Sequence, residues 1–194
     1  MAPLNDTMDI LNLQLTEGDN DEQFIVFSVG GEEYGLPVLR VQEIIRYLTP
    51  TKVPHGPSFV EGVIDFRGEV IPIVNLRSRF GLPPKEYDSF SVIIVIEANG
   101  KIVGLTVDQV SEIINIPKDR IHPAPDFSAQ KNTRFLTAMG KLNEKLIFLI
   151  DLDKIMDLSE QEDLEGYISE LQPGDLSSSS TTKTANQATE VRES

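Results

Sequence analysis

The segment GLPVLRVQEII at residues 35–45 returns as GLTVDQVSEII at residues 104–114, identical at seven positions without a gap. The same offset of 69 extends backwards and lays FIVFSVGGEEYG, from Phe24, over IIVIEANGKIVG, from Ile93, so that Gly30-Gly31 falls on Asn99-Gly100. A second block repeats at an offset of 76, VIPIVNLRSRFGL at residues 70–82 over LIFLIDLDKIMDL at residues 146–158. One supersecondary plan is used twice. Two similar units side by side create a groove between them, and no evident reaction centre.

Within each unit the pattern is that of strands. FIVFSV and YGLPV flank a short turn containing Gly30-Gly31, and SVIIVIEA and KIVGLTV flank Asn99-Gly100, whose residues tolerate the positive φ of a type I′ hairpin turn. Each hairpin runs on into V-x-E-I-I, a third strand. After the Pro-rich connections TPTKVPHGPSF and IPKDRIHPAPDF, a second hairpin follows. In the first half it is GVIDF, a turn at Arg67-Gly68-Glu69 and VIPIV; in the second it is FLTAMG, a turn near Asn143 and LIFLI. Short strands punctuated by Gly and Pro point to closed barrels, which remove aggregation-prone edges. The expected fold is therefore all-β, two five-stranded barrels with short helices. Those helices are NLRSRFGL and DLDKIMDL, opened by the N-cap residues Asn75 and Asp151.

The repeated units do not fill the chain. Residues 1–22 are expected to be a flexible acidic arm, in which Met8, Ile10, Leu11, Leu13 and Leu15 offer an apolar stripe for docking. The first barrel spans about residues 23–84 and the second about 88–158. A C-terminal helix over residues 159–172 is signalled by the capping box Ser159 to Glu162 and by Leu164, Ile168 and Leu171. Pro173-Gly174 stops it, and the Ser/Thr-rich tail to residue 194 is too poor in large apolar residues to fold.

The net charge of −14 is localised. Residues 1–22 hold six acids and no base, and residues 151–175 hold nine acids and one Lys, whereas residues 23–150 balance 14 acids against 14 bases. A neutral core without a basic stripe argues against nucleic acid and suits a protein that meets other proteins. No cysteine is present, so disulfides, thiolate metal sites and cysteine nucleophiles are excluded. No run of about 20 apolar residues offers a membrane span, and residues 1–22 lack the basic start and apolar run of a secretory signal. A soluble protein of the reducing cytosol, not inserted in a membrane, is expected.

Signatures of catalysis are missing: there is no G-x-G-x-x-G, P-loop, G-x-S-x-G or H-E-x-x-H. The two histidines, His55 and His122, sit in the Pro-rich connections of different halves and read as solvated loop residues. Asp151, Asp153 and Asp157 lack the Gly and terminal Glu of an EF-hand loop, and acids at a helix start are explained by capping and the helix dipole. No cofactor and no metal is expected. The polar signals that do stand out lie at Val41-Gln42-Glu43 and Gly62-Val63-Ile64-Asp65-Phe66-Arg67-Gly68. Alternation along a strand places Val41 and Glu43 on one face. Arg67, at a hairpin tip, is within reach of Glu43 for an ion pair, the alternative being two independent solvated charges.

These residues carry a family resemblance. EEYGLPVLRVQEII, PSFVEGVIDFRGEVIPIVNLRSRFGL and IHPAPDF resemble the CheW family of chemotaxis coupling proteins, in order and with the family's spacing over residues 23–158, 136 of 194. The resemblance implies that the barrels are SH3-like and share an apolar interface. It implies a non-catalytic adaptor that links the signalling tip of methyl-accepting chemoreceptors to the regulatory domain of the CheA histidine kinase, in the cytoplasm and recruited to membrane receptor arrays. Val41, Glu43, Gly62 and Arg67 match positions of receptor or kinase coupling, and Gly104 matches a sensitive glycine of the second half. Two departures stand out. The family's usual Asn-Leu-Arg-Gly is Asp65-Phe66-Arg67-Gly68 here, which gives Arg67 a competing carboxylate, and Glu61 replaces a residue that is often basic. Both are expected to make the docking face more acidic. Two alternatives are a paralogue serving a pathway other than swimming, and a small ligand-binding or hydrolytic barrel. The 36 residues after Leu158 are too few for a receiver domain of about 100 residues.

Overall fold

A computed structural model of the chain describes residues 21–125 and 134–155. Four hairpins organise it: β1 (Asp21–Val29) with β2 (Glu32–Pro37), β4 (Val60–Phe66) with β5 (Glu69–Asn75), β6 (Val92–Ala98) with β7 (Lys101–Val107), and β10 (Leu136–Leu142) with β11 (Lys145–Ile150). Each turns on two residues with positive φ: Gly30-Gly31, Arg67-Gly68, Asn99-Gly100 and Asn143-Glu144. That backbone matches the right-handed twist of the flanking strands. β3 (Val41–Arg46) and β8 (Gln109–Pro117) are the third strands anticipated from V-x-E-I-I, and β9 (Ile121–Pro123) is a short additional strand inside the second Pro-rich connection. The helices α1 (Leu76–Arg79) and α2 (Leu152–Ile155) follow Asn75 and Asp151. Asn75 accepts from the Ser78 amide at 3.0 Å and Asp151 from the Asp153 amide at 3.1 Å.

The strands form two sheets, ordered β8-β1-β2-β11-β10-β9 and β3-β6-β7-β5-β4. Neither sheet is made of one sequence half, and the expectation of one barrel from residues 23–84 and another from 88–158 fails on this point. The leading hairpin of each half, β1–β2 or β6–β7, joins the second hairpin of the other half through a parallel pair. Leu149 stands opposite Gly35 in one parallel pair and Ile73 opposite Gly104 in the other. These pairs are images of each other under the two sequence offsets, so the exchange is reciprocal. Among the described residues no pairing joins β8 to β9 or β3 to β4, so neither sheet is a closed ring of backbone hydrogen bonds.

The reason for the exchange lies in the unbroken apolar runs of β1 and β6. Phe24 and Val26 face one core while Ile25, Phe27 and Val29 face another, and Ile93 and Val95 are likewise separated from Ile94, Ile96 and Ala98. A strand apolar on both faces must be covered on both. The six-stranded sheet encloses Phe24, Val26, Ile114, Ile116, Ile147 and Leu149, and the five-stranded sheet encloses Ile64 with the repeat-related Ile71, Ile73, Ile93 and Val95. Between them lies the largest core, with Phe27, Leu36, Leu76, Ile94, Ile96, Leu105 and Phe135, all but solvent-free. The chain passes from sheet to sheet through the 3₁₀ turn Val38–Arg40 in the first half and through Asp108 alone in the second.

β1 begins at Asp21, two residues inside the segment expected to be a free arm, because Asp21 and Glu22 pair with Pro117 and Ile116. Residues 1–20, the helix expected at 159–172, the tail from 173 and Asp157 lie outside the described residues.

Candidate functional site

Three of the five residues singled out in the sequence occupy one transverse row. Glu43, Val95, Gly104, Ile73 and Gly62 stand opposite one another in turn across β3, β6, β7, β5 and β4. Residues paired across strands point to the same face, here the inner face of the five-stranded sheet. The glycines explain how so small a sheet fits its contents. A β-carbon at Gly104 would fall on Cδ1 of Ile73 and within 2.8 Å of Cγ2 of Ile93, so the missing side chain is the room that Ile73 occupies. At Gly62, where φ is 151°, a β-carbon would run into the carbonyl of Thr51. Thr51 exchanges two backbone hydrogen bonds of 2.9 Å with Val63 there.

Arg67 closes the row. Its Nη2 donates to Glu43 Oε2 at 2.7 Å, and its guanidinium lies 5.1 Å from the centre of the Phe66 ring. The sequence left an ion pair and two solvated charges open, and the structure has the pair. Glu43 is 24% exposed and Arg67 60% exposed, so the pair stands at the rim and contributes at most about 1 kcal/mol. Arg67 holds φ at 54°, a conformation that favours glycine. The carboxylate expected to compete for it does not: Asp65 accepts from the Gly68 amide at 2.8 Å and stabilises the turn.

Val41 is not on the face of Glu43, contrary to strict alternation. The register of β3 against β6 shifts between Val41 and Glu43, which oppose Ile96 and Val95 in succession. Gln42 is thus the extra residue of a bulge. Val41 turns with Ile96 towards the core between the sheets, while Glu43 turns with Val95 to the inner face. A bulge has no dependable signature in a single sequence.

Glu61 also departs from expectation. It stands at a second register shift, between Val60 and Gly62, and is half-buried rather than exposed. Asn75 Nδ2 donates to it at 2.7 Å and Thr106 Oγ1 at 3.0 Å. Burial raises its pKa above the ordinary 4.5, against the lowering effect of the bonds from Asn75 and Thr106. Asn75 donates in addition to the Tyr87 hydroxyl at 2.8 Å, and Tyr87 stacks on Tyr47 with ring centres 3.7 Å apart. Burial, then the neighbouring Glu61, raises the pKa of Tyr47. This polar cluster was missed in the sequence, because its members come from β4, β5, β7 and the loop after α1.

A looser counterpart of the Glu43–Arg67 pair exists in the other sheet. Glu112, the repeat image of Glu43, lies 3.9 Å from Lys145, beside the Asn143-Glu144 turn, but Lys145 binds Glu33 more closely at 2.6 Å. Two further ties lock the halves together. Arg77 pairs with Asp108 at 2.5 Å, and the same carboxylate oxygen accepts from the Gly30 amide at 2.9 Å. Asp153 accepts from Arg40 at 2.5 Å and from the Asn99 amide at 2.9 Å, and these bonds, the Asn99 one foremost, lower its pKa. Asp151 and Asp153 thus serve in capping and ion pairing. Among the described residues no cluster of three His, Asp or Glu is arranged to hold a metal ion. What the site presents chemically is a rim-exposed ion pair on a curled sheet.

The family model for the CheW-like domain matches residues 23–160. The chain is 37% identical over 139 residues to a chemotaxis protein CheW of Klebsiella aerogenes, covering 72% of this chain and 84% of that one. It is 34% identical to a chemotaxis protein CheW of Bacillus subtilis, covering 70% and 87%. The crystal structure of the scaffolding protein TtCheW from Thermoanaerobacter tengcongensis superposes with a TM-score of 0.67 at 34% identity, over 72% of this chain and 95% of that one.

Proposed function

The chain belongs to the CheW family, and from that premise we propose that it is a chemotaxis signalling adaptor that couples chemoreceptors to the CheA histidine kinase by binding both, without catalysis. Its contacts are with the signalling tip of methyl-accepting receptors and with the regulatory domain of the kinase. Among the described residues no helix is long and apolar enough to cross a membrane. In this reading the adaptor works on the cytoplasmic side and reaches the receptor array through its partners.

The coupling site we assign to Val41, Glu43, Gly62, Arg67 and Gly104, and the observation that supports it is the rim-exposed pair between Arg67 and Glu43. Glu43 and Arg67 offer the polar contacts, with Phe66 beside them as an apolar neighbour. Gly62 and Gly104 hold the sheet in the curvature that brings the two charges together. Val41 acts from the other face by seating β3 on the central core. That curvature, with register shifts at Val26/Phe27, Val41/Glu43, Val60/Gly62 and Leu136/Ala138, supports reading each sheet as a small SH3-like barrel. Several modest contacts linked in an array gain strength through effective concentration.

Co-sedimentation of the full chain with receptor-tip assemblies and a CheA kinase tests the reading. Recruitment and kinase activation by the wild type, both lost in a folded Arg67→Glu variant, are the expected result. A wild-type chain that neither partner recruits overturns it.

A further inference from the structure

A hollow of about 330 Å³ opens on the six-stranded sheet, not on the sheet of the Glu43–Arg67 pair, and is lined by Arg120, His122, Lys141, Asn143 and Glu144. Its walls come from the 3₁₀ turn Lys118–Arg120, from β9, and from β10 with the turn that follows it. His122 is paired with Met139, two residues before Lys141 on β10, so His122 and Lys141 share a face. It is the outer face, because their neighbours Ile121 and Leu142 pack against the core of this sheet. The wall is held in place. Gly140, opposite Ile121, has the Ile116 side chain where a β-carbon would stand, and β10 is bonded on both sides, to β9 and to β11.

The fold makes no use of the cations gathered here. Among the described residues Arg40, Arg67, Arg77 and Lys145 each meet a carboxylate, whereas Arg120 and Lys141 meet none. The two sequence halves differ at this point. At an offset of 76, Asn143 takes the place of Arg67, whose charge is met by Glu43, so the second half has departed from a self-contained pair to an open set of donors. Within the lining, Glu144 offsets one of the two permanent positive charges, and Lys118 and Asp119 of the turn cancel each other. One positive charge is left over. Every lining side chain except Glu144 offers an N–H donor. Such a set complements an oxyanion and repels a metal cation.

We propose that this hollow binds the phosphoryl group of a small phosphate monoester, with the guanidinium fork of Arg120, the ammonium of Lys141 and single N–H donors from His122 and Asn143. A phosphoryl group carries three acceptor oxygens and up to two negative charges, which suits donors arriving from three elements better than the two oxygens and single charge of a carboxylate. The hollow has room for about ten groups of water size, at about 30 Å³ each, so part of the ester's organic body enters as well. Glu144, the one acidic member, suits a hydroxyl group on that body. The chain's net charge of −14 opposes the approach of a long polyanion, so the ligand is small.

Titration of the isotope-enriched full chain with glycerol phosphate, at constant ionic strength made up with chloride, tests the proposal. The expected result is saturable movement of the amide signals of His122, Lys141 and Asn143, with those of Glu43 and Arg67 unmoved. Inorganic phosphate should move the same signals, and acetate should leave them in place. Arg120→Gln and Lys141→Gln, both at exposed positions, should each weaken binding about tenfold or more through loss of a charge-assisted bond, the rest of the amide spectrum reporting that the fold is kept. Movement that spreads over the surface or rises without saturation overturns the proposal, as do variants that bind like the wild type. Acetate binding as tightly as the ester overturns the assignment of a phosphoryl group.

Discussion

Arg67 and Glu43 belong to the two ends of one sheet's pairing order, the β4–β5 turn and β3, and yet their side chains meet at 2.7 Å. Only a strongly curled sheet allows this. The curl is made possible by Gly104 and Gly62 in the row between them, where a side chain would collide with Ile73 or with the Thr51 backbone. The ion pair and the two glycines are therefore parts of one device, charges held at the rim and close packing beneath that only glycine admits.

If the proposed site is right, variants of Arg67 separate coupling from stability. Arg67→Glu places a carboxylate against Glu43 at the rim and should cost no more than about 1 kcal/mol while abolishing recruitment of receptor or kinase. Arg67→Gly is the sharper variant: it loses the pair but relieves a positive φ that costs a side chain about 1 kcal/mol. Its midpoint in urea should stay near that of the wild type while recruitment falls. A large drop in the midpoint for both would make Arg67 structural.

The two row glycines should differ in their tolerance of alanine. At Gly104 the new β-carbon meets Cδ1 of Ile73, the far end of a side chain, and Cγ2 of the buried Ile93, so both side chains must give, at a cost of about 2 kcal/mol. At Gly62 it meets a backbone carbonyl and the φ of 151° is itself adverse, so the loss should reach about 3 kcal/mol or more. Urea denaturation ranks the pair, and equal losses would contradict the packing argument. Gly104→Arg should not give a folded protein.

Glu61 predicts a pH signature. Its folded pKa is raised above the ordinary 4.5 by burial, so its ionised form is disfavoured in the folded chain at neutral pH. The stability linked to this group is full below its unfolded pKa and is lost as pH rises through the raised folded value. Glu61→Gln retains an oxygen to accept from Asn75 or Thr106 and removes the charge. The variant should melt higher than wild type at neutral pH, and the difference should vanish as pH falls towards 4.5. Asp153, held low by Asn99 and Arg40, acts in the opposite sense in both proteins and cancels in the comparison. Lower melting of the variant across the whole range would show that the carboxylate is needed for its bonds.

Asp108 joins the two halves where the chain changes sheets. Its pair with Arg77 is about 15% exposed on both sides, and the same oxygen accepts from Gly30. Asp108→Ala should cost about 3 kcal/mol, because Arg77 is left with a largely desolvated charge. Arg77→Met added to it should recover part of the loss. An additive double variant would show that the two residues do not act as a pair.

Much of the local structure was legible in the chain. Gly30-Gly31, Asn99-Gly100 and the turn near Asn143 announced hairpins because a two-residue turn demands positive φ, a local requirement that residue type expresses directly. The repeat placed the third strands at β3 and β8 by the same local logic. Of the site, the pairing of Arg67 with Glu43 was one of two readings left open, since a hairpin tip and a strand residue of opposite charge can pair or stay solvated and only the curl of the sheet brings them together. The face of Val41 and the burial of Glu61 were not, because each depends on a register shift that exists only between two paired strands.

Residues alone placed the four hairpins and the third strands β3 and β8, showed that the plan is used twice and, through residues 23–160, carried the family, but not the short strand β9. Tertiary structure decided which hairpin sits in which sheet. The parallel pairs β2–β11 and β7–β5 carry the choice, and burial of both faces of the leading strands goes with it. β1 and β6 are apolar on both faces, and exchanging the leading hairpins lets each be covered twice, by its own sheet's core and by the core between the sheets.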